Sequence, residues 1–295
     1  MIPEASIVPR PPYSLALSAR LRSDSTRRFR DGVLTLALVT AGRPAVARVR
    51  QRPDGSLAAE IEGERPADAL ERLRFVLGAD DDHSEFVRRF AGDCLLGAPI
   101  RRLQGLRPPR TATVTHALLK AVCGQLIQAR AARHLEGKLL ARACERHGDL
   151  RLPSVRETFA ALSPAELARQ GLVARKATAL VRLSREWDVE RLHGVETAAA
   201  AARIERERGL GPWSAGMVCL YGLGRFERGL VGDLGLIKLC AALRGRPADV
   251  DDTRELLEPY GEWAGLASVY LLSTTALGAS GRGSRRGLSP APSRA

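Results

Sequence analysis

Residues 203–240 read RIERERGLGPWSAGMVCLYGLGRFERGLVGDLGLIKLC. The opening has the pattern of helix, tight turn and helix. A charged, helix-favouring stretch ends around Ile204, Gly209-Leu210-Gly211 makes the turn, and Trp213-Ser214-Ala215 starts the next helix. Two glycines one residue apart allow a left-handed backbone and let a second backbone approach closely. Their amides, with the free N–H groups of the following helix, can converge on one anion such as a phosphate. On this tripeptide alone, an ordinary helix–helix turn with a glycine cap fits equally well.

Asp233 lies downstream in Val231-Gly232-Asp233-Leu234-Gly235. With GLGPWSA before it, GDLGLIK makes the stretch resemble the helix-hairpin-helix DNA glycosylases that carry a Gly/Pro-rich turn and an aspartate. Among these the chain is most similar to the 3-methyladenine DNA glycosylase II, or alkylpurine glycosylase, branch. The resemblance implies that Asp233 stabilises the positive charge developing on deoxyribose C1′ as the base departs, and orients or deprotonates the attacking water. A structural role is compatible, because aspartate is a preferred N-cap and Asp233 precedes an expected helix at 234–243. Bifunctional relatives attack C1′ with a lysine just after the hairpin. This chain has Trp213 at that position, which implies a monofunctional enzyme using water.

The same resemblance supplies the remaining candidates. Gly209, Gly211 and Ser214 would hold a phosphate without regard to base identity. Gly124-Gln125-Leu126-Ile127 resembles the family's GQ segment, so Leu126 would wedge into the duplex where the base is flipped out, with Gln125 beside it. Leu126 reads almost as well as a core leucine on a long helix. An alkylated purine is cationic and stacks on electron-rich rings, so Trp213, Tyr260 and Trp263 would line the base pocket. The alternative for Trp263 is packing in the last helix interface. Met217 and Leu234 stand where relatives often have tyrosines, and aromatic residues are only 4% of the chain. That shortage leaves the lesion open: an alkylated base such as 3-methyladenine or 7-methylguanine, or an oxidised or deaminated one. A helix-hairpin-helix protein that binds distorted DNA without catalysis is the alternative from another class.

Outside this stretch, 295 residues can form one large or two ordinary domains. The formal net charge is +13, most of it arginine, which favours a polyanionic partner through counterion release, though codon composition alone can enrich arginine. Double-stranded DNA carrying damaged bases is the expected partner. No apolar run is long enough for a membrane span, and the first residues lack a secretory pattern, so the reading is a cytoplasmic, nucleoid-associated monomer. The five cysteines show no CxxC pair and none follows Cys240, which excludes the iron–sulfur loop some relatives carry there. Histidine spacing offers no zinc site. No cofactor is expected, apart from a monovalent cation at the hairpin that the resemblance allows.

Alternation over Tyr13–Leu17 and 45–50, an apolar run at 33–39, and Asp54-Gly55 before 57–61 read as an antiparallel sheet. Helices are expected at 66–77 and 84–90. Arg107-Pro108-Pro109-Arg110 marks a boundary. Helices are then expected at 115–146 with a break near Ala131, and at 153–161, 163–170, 173–186, 195–207, 213–223, 234–243, 251–258 and 262–277. The expectation is an α+β domain at 1–105, an all-α helix-hairpin-helix glycosylase domain at 106–278, and a disordered basic tail at 279–295.

Overall fold

The computed structural model describes residues 4–21, 24–125 and 127–281, with side chains described as far as Ser273. Five antiparallel strands form the main sheet: β1 (Ala5–Ile7), β2 (Arg27–Arg30), β3 (Val33–Thr40), β4 (Arg43–Gln51) and β5 (Leu57–Gly63), in the order β1-β5-β4-β3-β2. The register pairs Leu36 with Ala47 and Ala47 with Ile61, so one face is continuously apolar. Helices α1 (Leu15–Leu21) and α2 (Pro66–Leu77) join that face. Leu15, Leu73, Val76 and Leu77 pack with Leu36, Leu38, Val49 and Leu57 in one core.

The Tyr13–Leu17 alternation does not make a strand. Ser14 Oγ accepts a bond from the Leu17 amide, and Leu15, Ser18 and Ala19 are buried at helical spacing. Five residues of alternation are too few to outweigh that cap.

Helices α3 (Ser84–Phe90) and α4 (Gly97–Arg102) lead to α5 (Val114–Gly124) and α6 (Ala129–Ala143). Helix α5 therefore ends at Gly124, earlier than the expected break, and Gln125 leaves it with extended geometry. A two-stranded hairpin follows, β6 (Arg146–His147) and β7 (Leu150–Arg151), so the second half is not purely helical. Then come α7 (Arg156–Ala160), α8 (Pro164–Arg169) and α9 (Ala174–Glu186), a 3₁₀ turn at Val189–Gly194, and α10 (Thr197–Glu205). The Ser163–Glu166 capping box forms as its sequence predicts. Helix α11 (Pro212–Val218) runs on through a π-helical turn, Cys219–Leu223. After α12 (Leu234–Arg244), α13 (Val250–Leu257) and a 3₁₀ turn at Glu258–Trp263, α14 (Ala264–Gly281) closes the described chain. Residues 279–281, assigned above to the tail, continue this helix; 282–295 lie outside the described residues.

Phe86, Phe90 and Ile100 pack with the later helices rather than with the sheet. The sheet and helices are joined by buried charge. Arg110 is 6% exposed and reaches both Asp81 carboxylate oxygens, at 2.6 and 2.7 Å, and the carbonyls of Phe75 and Gly224. Lys120 bonds Asp24 and Glu136, each at 2.7 Å, and His116 lies 2.9 Å from Glu136. Asp24, His116 and Glu136 cluster as metal ligands do, but the Lys120 ammonium already supplies the cation. Burial opposes ionisation of Asp24, yet Lys120 and Arg27 hold its carboxyl well below the usual range. The Arg107–Arg110 segment is thus a buried joint between the sheet and the helices.

Candidate functional site

The turn between α10 and α11 has the geometry its sequence demands. Gly209 has φ of 92°, a region that favours glycine, and Leu210 turns inward with 6% exposure. Gly211 is the extended N-cap of α11, and Pro212 follows at the first helical position. Gly209 and Gly211 remain at least partly exposed, and their amides donate to no described residue. With the first amides of α11 they form a small group of outward donors.

Asp233 is the N-cap of α12. Its Oδ1 accepts from the Gly235 amide at 2.7 Å. Its Oδ2 accepts from the Trp213 indole N–H at 3.0 Å. Both carboxylate oxygens are therefore oriented, one by its own helix and one by the hairpin helix. The side chain is half-buried, shielded yet open to a ligand. A close backbone approach holds the two pieces together: a Cβ on Gly216 would stand 2.5 Å from the Gly229 carbonyl, so α11 seats directly against the loop leading to Asp233. Capping and catalytic readings of Asp233 are geometrically compatible, since the cap uses only one oxygen.

Gln125 and Ser214 belong to the same assembly but face the protein. The Gln125 amide donates to the Gly209 carbonyl at 2.6 Å and to Ser214 Oγ at 2.9 Å. Ser214 is 1% exposed, and its hydroxyl oxygen is the one that accepts from Gln125. Lys176 in turn donates to the Gln125 carbonyl at 3.2 Å, its pKa lowered by burial. Leu126 lies outside the described residues.

The candidate pocket residues divide. Trp213 is half-buried beside Asp233, and Leu234, 39% exposed, follows the acid directly. Met217 is one turn after Trp213 and buried in the helical core. Tyr260 is 3% exposed, edge-on to Phe90, with its hydroxyl 3.4 Å from Asp93; burial and Asp93 push its pKa up. Trp263 stacks on Phe226 and touches Phe86. The bonds and ring contacts of Tyr260 and Trp263 thus go to the aromatic group around α3, the core alternative raised for Trp263. In a chain with so few rings, that junction takes six of the thirteen.

Charge around the turn is uneven. Glu207 is taken by Arg182 and Arg203, each at 2.5 Å, and Glu205 by Arg228 at 3.3 Å. Arg206 and Arg208, between and beside those acids, are exposed and form no ion pair with a described residue. The same holds for Arg130 and Arg133 on the first turns of α6, and for Arg175 beside Lys176. These cations were not singled out by motif; only the pairing of their neighbours distinguishes them from the many ion-paired arginines elsewhere. Four of the five cysteines are buried, and all are free.

A cavity of about 1050 Å³ lies elsewhere, between the β3–β4 turn, α2, residues 143–158 and the 3₁₀ turn at Val189–Gly194. It shares no residue with the hairpin or the Asp233 loop. No described helix is long and apolar enough to cross a membrane.

No protein-family model matches the chain. It is 29% identical over 212 residues to a probable bifunctional transcriptional activator/DNA repair enzyme AlkA of Mycobacterium tuberculosis, a match covering 70% of this chain and 42% of that protein. It is 28% identical over 212 residues to a DNA-3-methyladenine glycosylase of Bacillus subtilis, covering 65% of this chain and 67% of the relative. The chain thus spans about two fifths of the length of the mycobacterial relative. In structure it is similar to a 3-methyladenine DNA-glycosylase of Archaeoglobus fulgidus, with a TM-score of 0.80, 21% identity, and coverage of 92% of this chain and 98% of that one. The resemblance read from the hairpin and Asp233 is therefore met by named relatives in sequence and by a glycosylase fold.

Proposed function

We propose that this chain is a monofunctional DNA N-glycosylase of base excision repair, acting on alkylated bases of the 3-methyladenine and 7-methylguanine type. The supporting observation is the Trp213–Asp233 pair, at 3.0 Å, set beside a glycine turn with outward amides and unpaired cations. The hairpin grips a phosphate with the Gly209 and Gly211 amides, and Arg206 and Arg208 add sequence-independent attraction. The target nucleotide leaves the stack, because its glycosidic bond is inaccessible within it. The C1′–N bond then breaks, its electron pair leaves with the base, and positive charge forms on the sugar. The Asp233 carboxylate faces that charge. Water adds its oxygen to C1′ and gives a proton to the carboxylate, leaving an abasic site.

Residues 106–278 carry this chemistry in our reading, and residues 1–105 brace it through the Arg110 and Lys120 clusters. Double-stranded damaged DNA in the cytoplasm is the partner. Names of the relatives support the alkylated class; the half-buried indole at Trp213 supplies a ring for a cationic base.

The test is incubation with methylated duplex, then hot alkali, alongside oxidised and deaminated duplexes. Alkali-dependent breaks are expected for the methylated substrate, and borohydride should trap no enzyme on DNA. Asp233→Asn should abolish release while binding to abasic duplex persists. Binding with no base released from any substrate would overturn the enzyme reading in favour of a non-catalytic DNA binder.

A further inference from the structure

The last residue of α5 raises a question its backbone does not answer. Gly124 is not among the glycines with positive φ, and glycine is a poor helix former. Space gives the reason. A Cβ at position 124 would stand 2.6 Å from Cη2 of Trp213, with Cζ2 and Cζ3 of the same ring next at 3.5 and 3.6 Å. All three nearest atoms belong to that indole. We infer that Gly124 is a positioning residue for Asp233: the vacancy it leaves seats the Trp213 ring where the indole N–H meets the carboxylate. The inference rests on the reading of Asp233 given above.

Relief of such a contact falls to the ring and not to its backbone. Ser214 and Ala215, which follow it on α11, are 1% and 0% exposed, so the helix backbone cannot retreat. An ordinary carbon–carbon contact lies at roughly 3.5–4.0 Å, so an added methyl must displace Cη2 by about 1 Å. The indole is rigid, and its N–H edge moves with Cη2. A bond now 3.0 Å long is then carried toward the limit of useful hydrogen-bond geometry. Asp233 keeps its Gly235 bond but loses the donor that fixes its second oxygen.

The experiment compares Gly124→Ala, Trp213→Phe and the double variant. Phenylalanine has no Cη2, so it removes the collision. Single-turnover release from methylated duplex should fall about tenfold or more in Gly124→Ala, with abasic-duplex affinity held within about threefold. Adding Gly124→Ala to Trp213→Phe should cost less than about twofold. The Trp213 indole N–H resonance, identified by its loss in Trp213→Phe, should move in Gly124→Ala as it does in Asp233→Asn. An unmoved indole resonance, or an equal loss in both backgrounds, overturns the inference. A Gly124→Ala chain that unfolds in both backgrounds does so as well, since helix packing would then be its role. Should the wild-type chain release no base at all, the functional reading fails, while the resonance still decides the geometric one.

Discussion

At the scale of single residues, the site is a carboxylate with each oxygen assigned. Gly235 takes one and Trp213 the other, so both oxygens are oriented with no ligand bound. A bond to a charged acceptor contributes on the order of 1.5–3 kcal/mol. Trp213→Phe should therefore slow base release on the order of 10- to 100-fold, measured in single turnover with abasic-duplex binding as the control. An unchanged rate would mean that Asp233 is held by its cap alone. The two partners were legible in the sequence because each belongs to a local motif, GLGPW and GDLG, at recognisable spacing. Tyr260 and Trp263 were legible as aromatics at positions that the resemblance gave to the pocket. Their burial against Phe90, Phe86 and Phe226 depends on contacts with residues far away in the sequence, which no local pattern records.

At the scale of elements, the end of α5 and the hairpin form one unit. Gln125 spans 84 residues to reach Gly209 and 89 to reach Ser214. Its amide supports the turn from beneath, while Gly124 makes room for the ring beside it. The GQ dipeptide was visible as a motif, but its sequence suggested contact with DNA rather than support of the turn. Gln125→Ala removes two hydrogen bonds, each contributing about 1 kcal/mol, less where solvent reaches the Gly209 carbonyl. Abasic-duplex affinity should fall roughly tenfold through a loosened turn, with the melting temperature lowered by only a few degrees. If affinity is untouched while release collapses, the brace serves the Trp213–Asp233 pair and not the phosphate grip. The sheet shows the complementary lesson. Strands β3, β4 and β5 were readable from alternation and the Asp54-Gly55 turn, whereas α1 was hidden because its cap, Ser14, sits inside an alternating run. The short β1 and β2 carry too few residues to announce themselves.

At the scale of the whole molecule, the net charge of +13 is what the proposed function would use to attract DNA, and a buried histidine shapes the response to acid. If Arg206 and Arg208 each meet a phosphate, replacing both with alanine should lower the slope of log affinity against log salt by about 2, uniformly across DNA sequences. A slope unchanged by the double substitution would place the strand elsewhere. The acid response follows from His83, which is 3% exposed, edge-on to Phe226, with no hydrogen-bond partner on either ring nitrogen. Burial, then Arg107 and Arg110, push its pKa down from 6.5 to about 3. Unfolded, the ring binds a proton near pH 6.5; folded, it resists one down to about pH 3. Between those values the unfolded chain holds more protons, so stability is full above pH 6.5 and declines as pH falls, by up to about 1.4 kcal/mol per pH unit. The paired acids Asp24 and Glu136, whose pKa values are lowered, add their loss only below the ordinary carboxylate range. Denaturation followed from pH 7 to 4 should therefore show a decline that begins near pH 6, too high for carboxylates. His83→Gln, which cannot take up a proton there, should make that part of the curve shallower, leaving the share of His193, whose pKa burial and then Arg72 and Arg225 push down to about 4. A wild-type curve that is level down to pH 4.5 would mean that His83 is hydrated or protonated in the folded chain. Its joint between α2 and α3, next to the Asp81–Arg110 clamp, would then be open to water, and the rigid seating of sheet on helices argued from that clamp would not hold.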